Sequence, residues 1–108
     1  MTAIKDIITR ETEQIIKGYS PEKIIMFGSC ARGDYHEGSD LDLIIIKDTQ
    51  DDFLKRLDEV LDCCTGEIGV EPFVYTESEI KRMTQQGNDF IRTALREGKV
   101  VYEKKKSA

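Results

Sequence analysis

The chain has 108 residues, enough for one domain but too few for two cores that could each bury adequate apolar surface. With 39% hydrophobic and 34% charged residues, four phenylalanines and no tryptophan, its composition is that of an ordinary globular protein and excludes a disordered chain. Sixteen basic against twenty-one acidic residues give a formal charge of -5, which argues against a protein that coats nucleic acid, because neutralising phosphates requires clustered Lys and Arg. The cysteines number three, with Cys63 and Cys64 adjacent, so neither a disulfide framework nor a paired metal-knuckle spacing can be drawn. No apolar run reaches the roughly 20 residues that cross a bilayer and no signal core opens the chain, so a soluble cytoplasmic protein is expected.

In chain order, Ile4, Ile7, Ile8, Ile15 and Ile16 recur at helical spacing and predict an amphipathic first helix, interrupted at Gly18 and Ser20-Pro21. Lys23 to Phe27 reads as a strand buried on both faces and ending at Gly28. A polar, glycine-bearing stretch follows, then a β-branched strand from Leu41 to Ile46. Asp51 and Asp52 suit a helix start, and Phe53, Leu54, Leu57, Val60, Leu61 and Cys64 predict one apolar stripe running to the break at Thr65-Gly66. Val70 to Thr76 predicts a third strand, at an edge or locally irregular because Pro72 has no N–H to donate. Thr76 and Glu79 form a capping-box pattern for a helix from Glu77 to about Gln86. Asn88 caps a further helix that Gly98 ends, Lys99 to Glu103 forms a last strand, and the tail from Lys104 to Ala108 is expected to fray. The order predicts a single α/β or α+β unit, a sheet with helices packed against it.

Asp40 and Asp42 are spaced by two at the entrance to the second strand, so both carboxylates point to one face while Leu41 points to the other. Like charges held together raise each other's pKa unless a cation neutralises them, and oxygen-only ligands suit Mg²⁺ or Mn²⁺. An isolated Asp-x-Asp is more often a solvated strand end, so the motif alone is weak. The added signal is Gly28-Ser29 at the end of the preceding strand. Gly28 lets the backbone approach a phosphate, Ser29 adds a hydroxyl donor, and Arg32 is a candidate either for triphosphate contact or for a surface ion pair.

These residues resemble the signature of the DNA polymerase β-like nucleotidyltransferases. The string Phe27-Gly28-Ser29-Cys30-Ala31-Arg32-Gly33-Asp34, followed by Gly38-Ser39-Asp40-Leu41-Asp42-Leu43, is similar to the minimal nucleotidyltransferase (MNT) branch. The likeness continues through Val70-Glu71-Pro72-Phe73-Val74-Tyr75-Thr76 and the ending from Phe90 to Tyr102, so it covers nearly the whole chain. It implies a mixed sheet flanked by helices, in which Asp40, Asp42 and a third carboxylate hold two Mg²⁺ or Mn²⁺ ions. The third carboxylate is usually an aspartate on the third strand, and Glu71 stands at the matching position. The implied reaction is metal-dependent transfer of a nucleoside monophosphate, AMP from ATP, to a hydroxyl. Small MNT proteins resemble antitoxins that act with HEPN-domain ribonucleases, which implies a tyrosine of such a toxin partner as acceptor. A nucleotide- or partner-binding module without catalysis is the alternative, with Glu71 as the mark of lost chemistry.

The remaining polar residues are read more plainly. His36 is expected to be solvated, Tyr35 to cover local surface or stack on a base, and Glu67 to be a lesser substitute for Glu71. Cys30, Cys63 and Cys64 are expected to be structural.

Overall fold

A computed structural model describes residues 3–36 and 38–105. Its elements are α1 (Ile4–Tyr19), β1 (Lys23–Phe27), α2 (Ser29–Arg32), β2 (Leu41–Ile46), α3 (Phe53–Cys63), β3 (Val70–Tyr75), α4 (Glu77–Gln85), α5 (Asp89–Glu97) and β4 (Lys99–Glu103). The strands form one four-stranded sheet in the order β3-β2-β1-β4. β1 runs antiparallel to β2 and β4, whereas β2 and β3 are parallel, so the sheet is mixed. β3 lies at an edge, as the missing donor of Pro72 requires.

The continuous apolar runs of β1 and β2 are explained by burial on both faces. One face presents Ile24, Met26, Leu41, Leu43 and Ile45 to Ile15 and Tyr19 of α1 and Val60 of α3. The other presents Ile25, Ile44 and Ile46 to Ile91 and Ala94 of α5. Because side chains alternate along a strand, Phe27, Asp42 and Glu71 share the α5 face, beyond the end of its apolar core. The site is therefore a polar continuation of a packed surface.

Local signals end most elements where the sequence places them. Thr76 and Glu79 make the reciprocal capping box of α4, and the Asn88 side chain accepts the Ile91 N–H at the start of α5. α1 differs: it runs through Gly18 and ends at Ser20, whose φ is 54°. Gly18 is required by packing instead, since a Cβ there would lie 2.5 Å from the Cys63 sulfur. At the other terminus the Lys104 N–H donates to Glu22 O at 2.8 Å, so the chain is still tied to the sheet there, and Lys106 to Ala108 of the expected frayed tail lie outside the described residues.

The predicted apolar stripe of α3 is corrected by the structure. Arg56 and Val60 are the buried residues of this helix, while Phe53, Leu54 and Leu61 are exposed, Leu54 by 70%. The cause is the Arg56 guanidinium, which turns inward because every direction it points has an acceptor. Nε donates to Asp51 O at 2.8 Å, and Nη1 to Val74 O at 3.1 Å and Glu79 Oε1 at 2.7 Å. Glu79 Oε1 also accepts the Thr76 N–H at 2.7 Å, so one carboxylate serves both the ion pair and the cap. A second internal polar contact joins the wholly buried Glu11 of α1 to the N–H and hydroxyl of Thr65.

Replacing Arg56 by Met should cost about 2–3 kcal/mol, less than a fully buried pair because Glu79 is partly exposed, read from the urea midpoint. The Arg56 guanidinium holds the Glu79 carboxyl below its ordinary value of 4.5. A depressed carboxylate pKa contributes stability that is present above that ordinary value and lost as pH falls through the lowered one. The acid limb of the stability curve should therefore flatten in Arg56→Met.

Candidate active site

The site is built where β1 ends. Gly28 takes φ 74° and ψ -155°, a conformation that L side chains rarely adopt, and it directly precedes α2. A Cβ at this position would collide with the Asp42 carboxylate. The turn can therefore lie against the carboxylate because the residue is glycine. The hydrogen bonds of α2 begin with the Ala31 and Arg32 N–H groups on Gly28 O, so the Ser29 and Cys30 N–H groups precede the helix's own ladder.

Asp42 occupies the middle of a three-strand row: Phe27 is its register partner on β1 and Glu71 its partner on β3. Asp42 and Glu71 are register partners, and their carboxyl groups are close enough for one, when protonated, to donate a hydrogen bond to the other. Burial, that hydrogen bond, and the negative charges of Glu71 and Asp40 together push the Asp42 carboxyl up to about 6 from 3.8, against a smaller opposing effect of Arg32.

Asp40 precedes β2, is exposed, and directs its carboxylate against Gly69, where a Cβ would strike it. Among the described residues no group of three or more His, Cys, Asp or Glu side chains is already arranged to hold a metal ion. The donor chemistry nevertheless fits a hard divalent cation, since Asp42 and Glu71 are all-oxygen donors, held on neighbouring strands, whose mutual repulsion a cation would relieve. Glu71 thus stands beside Asp42 as the motif requires. Glu67, the lesser candidate, is drawn away by Arg10, with Nη2 2.6 Å from Glu67 Oε2.

Arg32 is held by acidic neighbours, with Nε 3.3 Å from Asp34 Oδ2 and Nη1 3.8 Å from Glu97 Oε2. Cys30 is buried under the site, with its Sγ 3.6 Å from Asp40 O. Burial and then the Asp42 charge raise its thiol pKa, so it stays neutral and packs α2 against the start of β2. Cys64 is likewise an inert thiol, pushed up to about 12 by burial and then by Glu11. Tyr35 lies in the connecting loop and is 39% exposed. The same loop is drawn together by the His36 N–H on Ser39 Oγ at 2.8 Å.

The sequence reading missed an open groove of ≈ 440 Å³ beside Gly28, walled by Phe27 and Phe90 and edged by Arg32, Asp89 and Glu97. The aromatic rings of Phe27 and Phe90 meet edge-on at 5.6 Å, and Phe73 lies 4.9 Å from Phe90. One signal was available: Asp89, Thr93 and Glu97 recur every four residues and so form a stripe on α5 beside Phe90.

Residues 10–107 match the family described as Polymerase beta, Nucleotidyltransferase. The chain belongs to that nucleotidyltransferase family. Its relatives include two proteins of Methanocaldococcus jannaschii named "Putative protein adenylyltransferase". MJ0604 is 40% identical over 84 residues, covering 75% of this chain and 78% of the relative. MJ1215 is 33% identical over 55 residues, covering 51% and 64%. A crystal structure of a "putative nucleotidyltransferase" from Sulfolobus solfataricus shares the fold with a TM-score of 0.63 at 20% identity, covering 92% of this chain and 79% of that one. A toxin-antitoxin structure with AMP-PNP shares it with a TM-score of 0.62 at 15% identity, covering 95% and 76%. The chain is a nucleotidyltransferase of α/β fold, and among the described residues no helix is long and apolar enough to cross a membrane.

Two outcomes follow from the geometry. Gly28→Ala combines a disfavoured φ with a clash on Asp42, and should cost about 1–3 kcal/mol in unfolding free energy. Asp42→Asn should do the reverse near neutrality. A carboxyl raised to about 6 gives its stability below the ordinary value of 3.8, and that stability is lost as pH rises through 6. Asp42→Asn should therefore melt a few degrees higher than wild type at pH 7.5, about 1–2 kcal/mol after solvent screening, with the gain vanishing near pH 4.

Proposed function

We propose that this nucleotidyltransferase transfers AMP from ATP to a protein hydroxyl, using Asp40, Asp42 and Glu71 as its carboxylates and the Gly28-Ser29 turn as its phosphate seat. The observation that supports this most directly is the contact of the Gly28 backbone with the Asp42 carboxylate, which favours reading the turn as a phosphate seat beside a cation-binding pair. The family relationship and the adenylyltransferase name of MJ0604 favour adenylyl transfer over other outcomes for the same fold.

In this mechanism Asp40, Asp42 and Glu71 would hold Mg²⁺ or Mn²⁺. Bound there, divalent cations offset phosphate charge and favour ionisation of the acceptor hydroxyl. The Ser29 hydroxyl and the N–H groups of Ser29 and Cys30 orient the triphosphate oxygens, and Arg32 exchanges its exposed acidic partners for phosphate. The acceptor oxygen attacks the α-phosphorus, the bond from that phosphorus to the bridging oxygen of the β-phosphate breaks, and pyrophosphate leaves. The acceptor's proton passes to a carboxylate oxygen of the Asp42–Glu71 pair.

The acceptor we favour is a tyrosine on a HEPN-domain toxin, with this chain as the antitoxin. Support comes from the motif resemblance and from the toxin-antitoxin assembly among its structural relatives. Incubation with α-labelled ATP, Mg²⁺ and the product of the neighbouring gene should label that partner. Asp40→Ala and Asp42→Ala should each lower labelling at least ~100-fold, and Glu71→Gln at least ~10-fold. Partner binding that survives all three substitutions while wild type transfers no label would reject the enzymatic reading in favour of a masking module.

A further inference from the structure

We propose that the groove between Gly28 and α5 seats the acceptor, and that it selects an extended segment in which basic residues bracket an aromatic hydroxyl. The proposal rests on the transfer reading above and names the substrate class of that same site.

The groove opens from Gly28, whose backbone touches Asp42, so a group lying in it ends at the proposed reaction centre. Its volume of ≈ 440 Å³ suits a few side chains of a segment. Its chemistry is sorted by charge. Asp89 and Glu97 line one side, and the nearest cation, Arg32, already lies 3.8 Å from Glu97 and 3.3 Å from Asp34. Away from Gly28 and Arg32 the rim carries the two carboxylates of α5, which attract Lys or Arg. The Arg32–Glu97 pair is exposed on both sides, so an incoming guanidinium exchanges for Arg32 at little cost.

The wall supplies the aromatic preference. Phe90 is 40% exposed although it packs on Phe27 and Phe73, so part of its ring remains available beside Gly28. A tyrosine ring meeting it edge-on keeps its hydroxyl directed past Gly28, a geometry aromatic pairs favour. Spacing sets the rest. Asp89 and Glu97 are separated by eight positions of one helix, roughly 12 Å at 1.5 Å per residue, and an extended segment covers that distance in about four residues. The preferred acceptor therefore carries Arg or Lys two residues before and two residues after the tyrosine. In the reaction the phenolic oxygen forms its bond to the α-phosphorus, the bond to the β-phosphate oxygen breaks with release of pyrophosphate, and the phenolic proton is taken by the Asp42–Glu71 pair.

The test uses three labelled eleven-residue peptides: tyrosine flanked by arginines at both positions, tyrosine flanked by glutamates, and the arginine peptide with alanine in place of tyrosine. Anisotropy titrations with the full chain should show the arginine–tyrosine peptide binding at least about 10-fold more tightly than either control. Asp89→Lys combined with Glu97→Lys should reverse the arginine-over-glutamate preference, and Phe90→Ala should remove the advantage of tyrosine over alanine. ATP affinity, titrated in parallel on the same variants, should not fall more than about 2-fold below wild type. Equal binding of the peptides, or a preference indifferent to charge reversal, would overturn the proposal. Loss of ATP affinity in the groove variants would also overturn it, by making the groove the nucleoside seat. If the peptide selectivity appears but wild type binds no ATP, the acceptor groove stands and the nucleotidyl-transfer reading is the one that fails.

Discussion

The approach of the Gly28 backbone to the Asp42 carboxylate is the constraint around which the site is organised. It requires a residue without a Cβ, a left-handed φ, and a strand that ends in register with Asp42. Once those are met, the first N–H groups of α2 and the carboxylate row of β2 and β3 occupy one small region on the α5 face of the sheet. Parallel pairing of β2 and β3 then sets Glu71 opposite Asp42. The residues that follow along these strands, Ile44 and Phe73, pack into the core and fix the row in place.

Such a row is costly to fold, because Asp42 is held partly buried among like charges. Compensating interactions lie elsewhere in the molecule. Arg56 joins α3, β3 and α4 through one guanidinium, and Glu11 joins α1 to the turn after α3. Both secure the helices around the sheet while leaving the carboxylate row free of basic side chains other than Arg32. A permanent arginine partner for Asp42 would lower its pKa and stabilise the fold, but it would also occupy the position proposed for a cation.

Much of this was legible in the sequence where the controlling interactions are local. Gly28, Asp40 and Asp42 lie within fifteen residues, and their strand ends follow from apolar runs and glycine punctuation. The caps at Thr76 and Asn88 are equally local. Arg56 was not legible: its carboxylate partner lies 23 positions away, and its inward turn reassigns the face of α3 that a helical apolar pattern alone would bury. Glu11 meets Thr65 across 54 positions for the same reason. Glu71 could be aligned by motif, but its position opposite Asp42 depends on strand register. The acidic stripe of α5 becomes meaningful only once Phe90 is seen against Phe27.

Arg56 has a consequence beyond the ion pair. Leu41 N–H bonds to Gly69 O and Lys47 N–H to Tyr75 O, so the odd-numbered residues of the β3 segment turn their backbone groups toward β2. Pro72 and Val74 then face the open edge. Pro72 has no N–H to offer there, and the Val74 carbonyl is already taken by Arg56. This edge is a poorer template for strand addition by another chain, which helps to protect a small and highly apolar sheet from templated aggregation. A physiological partner approaching from that side must engage side chains, while backbone-mediated extension of the sheet is directed to β4.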